Sequence, residues 1–420
     1  MAEKIIARAA GQARVSPGDI VVAQVDLAFA HDSSGPRRWA PLLAEIGAPI
    51  RDPHRVAVIS DHYVPAADAA SAAILKLTRE FVKEHGIAHF FDSVGICHTV
   101  LPERGLIRPG AFIAGGDSHT PTAGAYGTFA AGYGATDMAA ILVTGETWIS
   151  VPSTLRLEFS GGLRRGVTAK DIMLMLVRRL GMDNAFHVVE FAGSTVEAMS
   201  MAERMVLCNM SVELGADTGV IAPDEVTFAD LAAAGQPIGD ESAARALASD
   251  PNAQFEAVHR FNAALIEPQI AGPDSPENSR PISEFLDVAV DTAYIGACVG
   301  AKLADLRMAA EVLRGHAVAE HTRLAVAPAS ARITAQATHD GTLAILLDAG
   351  ATLLPSGCGA CAGYGGGVLA EGEVCISTTN RNFPGRMGAK SASVYLGSPY
   401  TVAASAIAGR ITDPRTFLPT

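Results

Sequence analysis

Two cysteines three positions apart, Cys358 and Cys361, lie in the glycine-rich run GCGACAGYGGG, and a third, Cys298, lies in YIGACVGAKLADL. Each follows a short apolar run and is set among Gly and Ala, where a bulky group can approach the backbone. Taken singly, a cysteine is most often a small buried hydrophobe, and Cys97, Cys208 and Cys375 are read that way. The CxxC pair also fits zinc or thiol redox chemistry. A zinc site ordinarily takes four ligands, and neither a second CxxC nor a nearby His pair supplies them. Three thiolates suit a 4Fe-4S cluster with one iron left open to act as a Lewis acid.

Two further groups have the types that catalysis on a small acid needs. Arg381 and Arg386 stand close together in NRNFPGRMG, with Asn380 beside them. Guanidinium groups form bidentate, charge-assisted bonds to carboxylates, so this loop can orient a di-anionic acid. Acid and imidazole recur in SDHYVP (Asp61, His62), GICHTVLPERG (His98) and GGDSHTPTAGAYG (Asp117, Ser118, His119). A carboxylate beside an imidazole orients it and raises its pKa, as general acid catalysis requires. The Asp-Ser-His run is not a hydrolase triad, because it has no G-x-S-x-G elbow and adjacent triad members rarely point together. GTFAAGYG likewise lacks the spacing of a dinucleotide-binding loop.

The elements that must position these loops alternate along the chain. HRVAVIS (54–60) predicts a buried strand and DAASAAILKLTREFVKEHG (68–86) the helix after it, ended by Gly86. HFFDSVG and AFIAGGDSHT give two more strand-then-loop units, and GATDMAAILVTGETW a helix. This rhythm implies parallel sheets covered on both faces, with sites at the loops after strand C-termini. A break near 150 opens a second unit, with a helix capped by Thr168. The Pro- and Ser-bearing stretch 267–285 reads as a linker, after which the αβ rhythm resumes. The expected division is three α/β domains, 1–150, 151–282 and 283–420.

Composition narrows the setting. With 32 basic against 44 acidic residues the formal charge is -12, which argues against nucleic acid or an anionic membrane as partner. The sequence shows no secretory signal and no uncharged apolar stretch long enough to span a bilayer. Six cysteines in 420 residues do not make a disulfide scaffold, so a cytoplasmic protein with reduced thiols is expected.

DHxxP, GIxH, GGDSHT, the Asn and Glu of CNMSVELGADTG, the cysteine of IGAC, GCGAC and NRNFPGRMG, in this order, resemble the aconitase superfamily. Within it the chain is most similar to the isopropylmalate isomerase (3-isopropylmalate dehydratase) large-subunit family in its shorter form, over essentially its whole length. The resemblance implies three α/β/α domains with parallel-type sheets around a central 4Fe-4S cluster held by Cys298, Cys358 and Cys361. It also implies a hydro-lyase that removes and re-adds water on a small 2-hydroxy dicarboxylic acid. By motif, Asp61, His62, His98, Asp117, Ser118, His119 and Glu213 are the catalytic set, and Asn209, Asn380, Arg381 and Arg386 bind substrate. Larger relatives carry a fourth, swivelling domain with a serine base; here the chain stops soon after the arginine loop, which implies a separate small subunit completing the site. The run Val299, Gly300, Ala301, Lys302 departs from the family's Thr-Asn-Gly-Arg. That leaves open a maleate, citraconate or 2,3-dimethylmalate hydratase, or a homoaconitase-like enzyme.

Overall fold

The computed structural model of the chain describes residues 1–418. Its first sheet has five parallel strands in the spatial order His89–Asp92, Val56–Ser60, Leu27–His31, Phe112–Gly115, Phe129–Gly132. Both faces are covered, and period-two alternation divides the strands between two cores. Leu27, Phe29, Ala57, Ile59 and Ile113 face one, while Ala28, Ala30, Val56, Val58, Phe112 and Ala114 face the other. Strand order reverses at Leu27–His31, the kind of switch point outside which open α/β sheets bind ligands.

The second sheet has four parallel strands, ordered Thr218–Ile221, His187–Ala192, Ser153–Ser160, Ala257–Asn262. The helix Ala169–Leu180 that follows Ser153–Ser160 starts at Thr168, the cap expected from the sequence, whose hydroxyl forms a capping box with Asp171. The third sheet has seven strands: Ser279–Pro281, Gln269–Ala271, Ser393–Leu396, Val374–Ser377, Thr292–Ile295, Arg323–Val326 and Thr352–Leu353. Its last five are mutually parallel.

Two local expectations need correction. The stretch 267–285 is not a linker: Gln269–Ala271 and Ser279–Pro281 pair antiparallel and close the edge of the third sheet. Its Pro, Asn and Ser residues make the hairpin turn, and Pro281 is tolerated because its strand lies at the edge. The helix read through GATDMAAILVTGETW stops at Thr144, because Gly145 turns left-handed at φ 74°. Glu146–Ser150 then pairs antiparallel with Ile20–Gln24 in a two-stranded ribbon. No helix among the described residues is long and apolar enough to cross a membrane.

Candidate active site

Most of the chemically suggestive loops follow the C-terminal end of a parallel strand, while Asn209 and Glu213 stand at the end of the helix Met201–Asn209 and in the 3-10 turn that continues it; the loops of the first and third sheets meet. The Leu27–His31 strand ends in His31 and Asp32, Val56–Ser60 leads into Asp61 and His62, and Phe112–Gly115 into Asp117, Ser118 and His119. Across from them, Thr292–Ile295 leads into Cys298, Thr352–Leu353 into Cys358 and Cys361, and Val374–Ser377 into Asn380 and Arg381. The backbone N–H of Cys358 donates to the carbonyl of Asp61 at 2.8 Å, tying the cysteine loop to the acid loop.

The carboxylates act as hubs for backbone and imidazole. Asp32, fully buried, accepts from the backbone N–H groups of Asp61, His62 and Tyr63 at 3.3, 3.0 and 2.9 Å, which fixes the loop after Val56–Ser60. Asp61 bonds His62 Nδ1 at 2.6 Å and accepts from the Cys97 N–H at 2.7 Å. Asp117 takes His98 Nε2 at 2.8 Å on one oxygen and His31 Nε2 at 3.2 Å on the other, and accepts the His119 backbone N–H at 2.7 Å. His31 and His62 stack with centroids 3.7 Å apart. In two clusters, His31–Asp32–Asp61–His62 and His98–Asp117–His119, the nitrogen and oxygen atoms lie within 4.8 Å of one another.

Charge pairing outweighs burial at these groups. Burial pushes the Asp117 carboxyl up, but His98, His119 and His31 hold it well below its ordinary value. Burial likewise opposes ionisation of Asp61, and His62 and His31 overcome it. For His31 burial favours the neutral ring, yet the bond to Asp117 and the charges of Asp61, Asp117 and Asp32 raise its pKa. His119 is raised in the same way, against burial, by Glu213 and Asp117. Asp61 and Asp117 are therefore kept ionised, and His31 and His119 hold their protons more tightly than usual.

Glu213 joins this set to the arginine loop. Its Oε1 lies 3.1 Å from His119 Nε2 and accepts from Arg381 Nε at 2.7 Å, while Oε2 is buried without a hydrogen-bond partner. Arg381 also donates to the Ser118 hydroxyl at 3.1 Å. Asn209 Nδ2 donates to Thr122 at 2.7 Å and to Cys298 Sγ at 3.1 Å, and its carbonyl accepts from Asn380.

The three cysteines converge as unpaired thiols. Cys298 and Cys361 both reach the amide oxygen of Asn380, at 3.8 and 4.0 Å. Burial, then the neighbouring Cys361, pushes the Cys298 thiol up to about 12. Cys358 is raised well above its ordinary value by burial, Asp61, Cys361 and Cys298. Arg386 lies against Cys361 and Cys358; burial lowers its pKa, but the sulfurs raise it further, and its Nε is buried without a partner. Three soft donors held together with a cation, two amide side chains and glycine backbone form a donor set that fits an iron–sulfur cluster, whose binding must displace the thiol protons. Ala297, just before Cys298, is left-handed at φ 68°, an uncommon conformation for a residue with a Cβ, and it turns the chain out of the strand.

All fourteen residues singled out from the sequence thus gather in one site. His31, Asp32 and the buried Lys170 were not singled out. LAFAHDSSG carries the same signal as AVISDHY, an apolar run ending in an acid–imidazole pair, and would have revealed the first two. Lys170 sits inside a helical pattern and gives no local sign. By contrast, a 430 Å³ cavity beside the second sheet is lined by arginines already engaged. Arg156 pairs with Glu158 and Glu190, Arg204 with Asp224, and Arg260 with Glu158.

The departing run after Cys298 is buried. Val299 and Ala301 are core residues, and Lys302 pairs with Asp305 at 2.8 Å and donates to the Cys298 carbonyl at 3.2 Å. A Cβ on Gly300 would stand 2.2 Å from the Thr378 side chain. These positions brace the cysteine loop from behind.

Comparison with known proteins agrees with this geometry. The profile of the aconitase family (aconitate hydratase) matches residues 3–409. The chain belongs to the aconitase family. Among its relatives, the 3-isopropylmalate dehydratase large subunit 1 of Methanopyrus kandleri is 47% identical over 100% of this chain and 99% of that protein. The probable methanogen homoaconitase large subunit of Methanothermobacter thermautotrophicus is 44% identical, covering 99% and 97%. The 3-isopropylmalate dehydratase large subunit of Nitratiruptor sp. is 44% identical, covering 98% of each chain.

Proposed function

We propose that this chain is the cluster-bearing large subunit of a hydro-lyase that dehydrates and rehydrates a small 2-hydroxy dicarboxylic acid, of the 3-isopropylmalate dehydratase type. The observation that carries this reading is the Cys358-to-Asp61 junction, which ties the cysteine loop to the acid–imidazole loop of Asp61 and His62. A 4Fe-4S cluster held by Cys298, Cys358 and Cys361 would supply a Lewis acid that makes hydroxide a better leaving group. Arg381 and Arg386 hold substrate carboxylates by charge-assisted bonds. Arg381 is oriented for this by Glu213 and Ser118. His62, His98 and His119, each held by a carboxylate, deliver the proton that the departing hydroxide needs and take it back on rehydration. Asn209 and Asn380 direct polar hydrogens and an amide oxygen toward the cluster-side sulfurs.

The relatives' names as large subunits support a small-subunit partner, which would bring the base that acts at carbon and much of the pocket for the substrate's side chain. Co-expression with a small subunit, anaerobic purification and assay of 3-isopropylmalate, homocitrate, maleate, citraconate and 2,3-dimethylmalate tests the reading. A brown protein with iron and sulfide that prefers isopropylmalate is expected. Strong preference for homocitrate, in keeping with the 44% identical homoaconitase relative, would move the substrate assignment, and a colourless anaerobic preparation without iron would sink the cluster assignment.

A further inference from the structure

The ribbon formed by Ile20–Gln24 and Glu146–Ser150 has two unlike faces. Its register sets Val22 directly across from Trp148, Ile20 across from Ser150 and Gln24 across from Glu146, so these six side chains share one face. Val21, Ala23 and Ile149 point the other way and pack into the core. On the outer face Ile20 is 74%, Val22 53% and Trp148 68% exposed. Single exposed apolar residues are ordinary, but an indole and two β-branched side chains side by side on one ribbon form a patch of the kind that marks an interaction surface. The one charged group on the face is Glu146, and the Gln24 amide donates to its carboxylate at 2.6 Å. The patch is therefore nearly neutral on a chain whose formal charge is -12.

We propose that this face is where two copies of the chain associate, in a twofold contact centred on Trp148. Three observations favour a second copy over another partner. The face is self-complementary: with a twofold axis running along the ribbon between two such faces, each Glu146–Ser150 strand lies over an Ile20–Gln24 strand, and the indole of each copy covers the aliphatic pair of the other. Two copies that repel through their net charge can approach where a face carries almost none. A small subunit that completes the active site is needed elsewhere. The ribbon enters Leu27–His31 and Ser153–Ser160 at their N-terminal ends, two residues after Gln24 and two after Ser150, whereas the loops of His31, Asp61 and Asp117 leave the first sheet at strand C-terminal ends. The inference depends on neither the substrate nor the cluster.

The test is sedimentation equilibrium on the full chain, purified anaerobically, alone and with a co-expressed small subunit, comparing wild type with Trp148→Glu and Ile20→Glu. Both positions are exposed, so neither substitution disturbs the core, and native circular dichroism checks that. The chain has two tryptophans and Trp39 is fully buried, so acrylamide quenching of the emission reports Trp148. Wild type should dimerise, with Trp148 becoming shielded from acrylamide as concentration rises. Trp148→Glu should weaken dimerisation about thirtyfold or more, the loss expected of an aromatic anchor at the centre of an interface, and Ile20→Glu should weaken it in the same direction. If Trp148→Glu does not fold, Ile20→Glu decides alone. A wild type that stays monomeric at every concentration, with and without the small subunit, overturns the proposal, as does a dimer that folded Trp148→Glu leaves intact. Shielding of Trp148 in a complex that holds one small subunit and a single copy of this chain also overturns it, because the face then belongs to that partner.

Discussion

Asp117 gathers more of the chemistry than any other side chain in the site. It bonds His98 and His31 through its carboxylate and fixes His119 through the backbone. Asp117→Asn keeps the size but not the charge, so it should leave the cluster bound and lower kcat by about two to four orders of magnitude, the range of general acid catalysis. Iron content together with steady-state turnover checks this. The same groups give the fold a pH profile. Asp61, Asp117 and Glu213 are held below their ordinary values of 3.8, 3.8 and 4.5, so their stabilisation is complete above those values and is lost as pH falls through the depressed ones. His31 and His119 are raised above 6.5, so theirs is complete below that value and is lost as pH rises through the raised ones. The urea midpoint should therefore be highest between about pH 4.5 and 6.5 and fall on both sides, and Asp117→Asn should flatten both limbs. A midpoint that keeps rising with alkali would contradict it. At this scale the sequence was informative where acid and imidazole are neighbours. It was silent on Lys170, whose bonded carbonyls lie 208 and 209 positions away.

Loops after strand ends were legible because a short apolar run followed by Gly and polar residues has few other meanings in an alternating α/β chain. Thr168 was legible for a similar reason, since a capping box is written within four residues. The hairpin over 269–281 was not, because Pro, Asn and Ser make turns whether or not the flanking triplets pair. Its pairing with Ser393–Leu396 is a contact across the chain. The cysteine loop after Thr292–Ile295 is seated by another such contact. Thr378 Oγ1 accepts from the Gly296 N–H and donates to its carbonyl, both at 2.9 Å, and Gly300 lies directly against that side chain. Gly300→Ala forces a Cβ to 2.2 Å from Thr378 and should destabilise the chain by about 1–3 kcal/mol. Because the displaced element carries Cys298, iron per chain after anaerobic purification should fall along with the urea midpoint. A variant with lowered midpoint and full iron would show that the seat is not transmitted to the thiol.

The molecule is assembled by close approach between its sheets. The turn Thr120–Tyr126, which follows His119, packs on the Thr218–Ile221 strand of the second sheet. Gly124 makes this possible, since a Cβ there would lie 1.8 Å from the Gly219 carbonyl oxygen, and backbone cannot move aside as a side chain can. Gly124→Ala should cost about 1–3 kcal/mol and also lower turnover, by disturbing the 3.1 Å approach of His119 to Glu213; denaturation and kinetics on one preparation check both. The hairpin at the edge of the third sheet bears on the order in which the nascent chain completes itself. Among the described residues Gln269–Ala271 joins the parallel strands only through Ser393–Leu396, and that strand also pairs with Val374–Ser377. Cys298, Cys358 and Cys361 are all synthesised before this last strand, so during translation they wait on an unfinished sheet whose open edge can pair with another chain. Ribosome-stalled chains ending before Ser393 should stay sensitive to protease and accept no iron, whereas release of the full chain should bring protection and metal uptake together, making cluster loading a late, post-translational event.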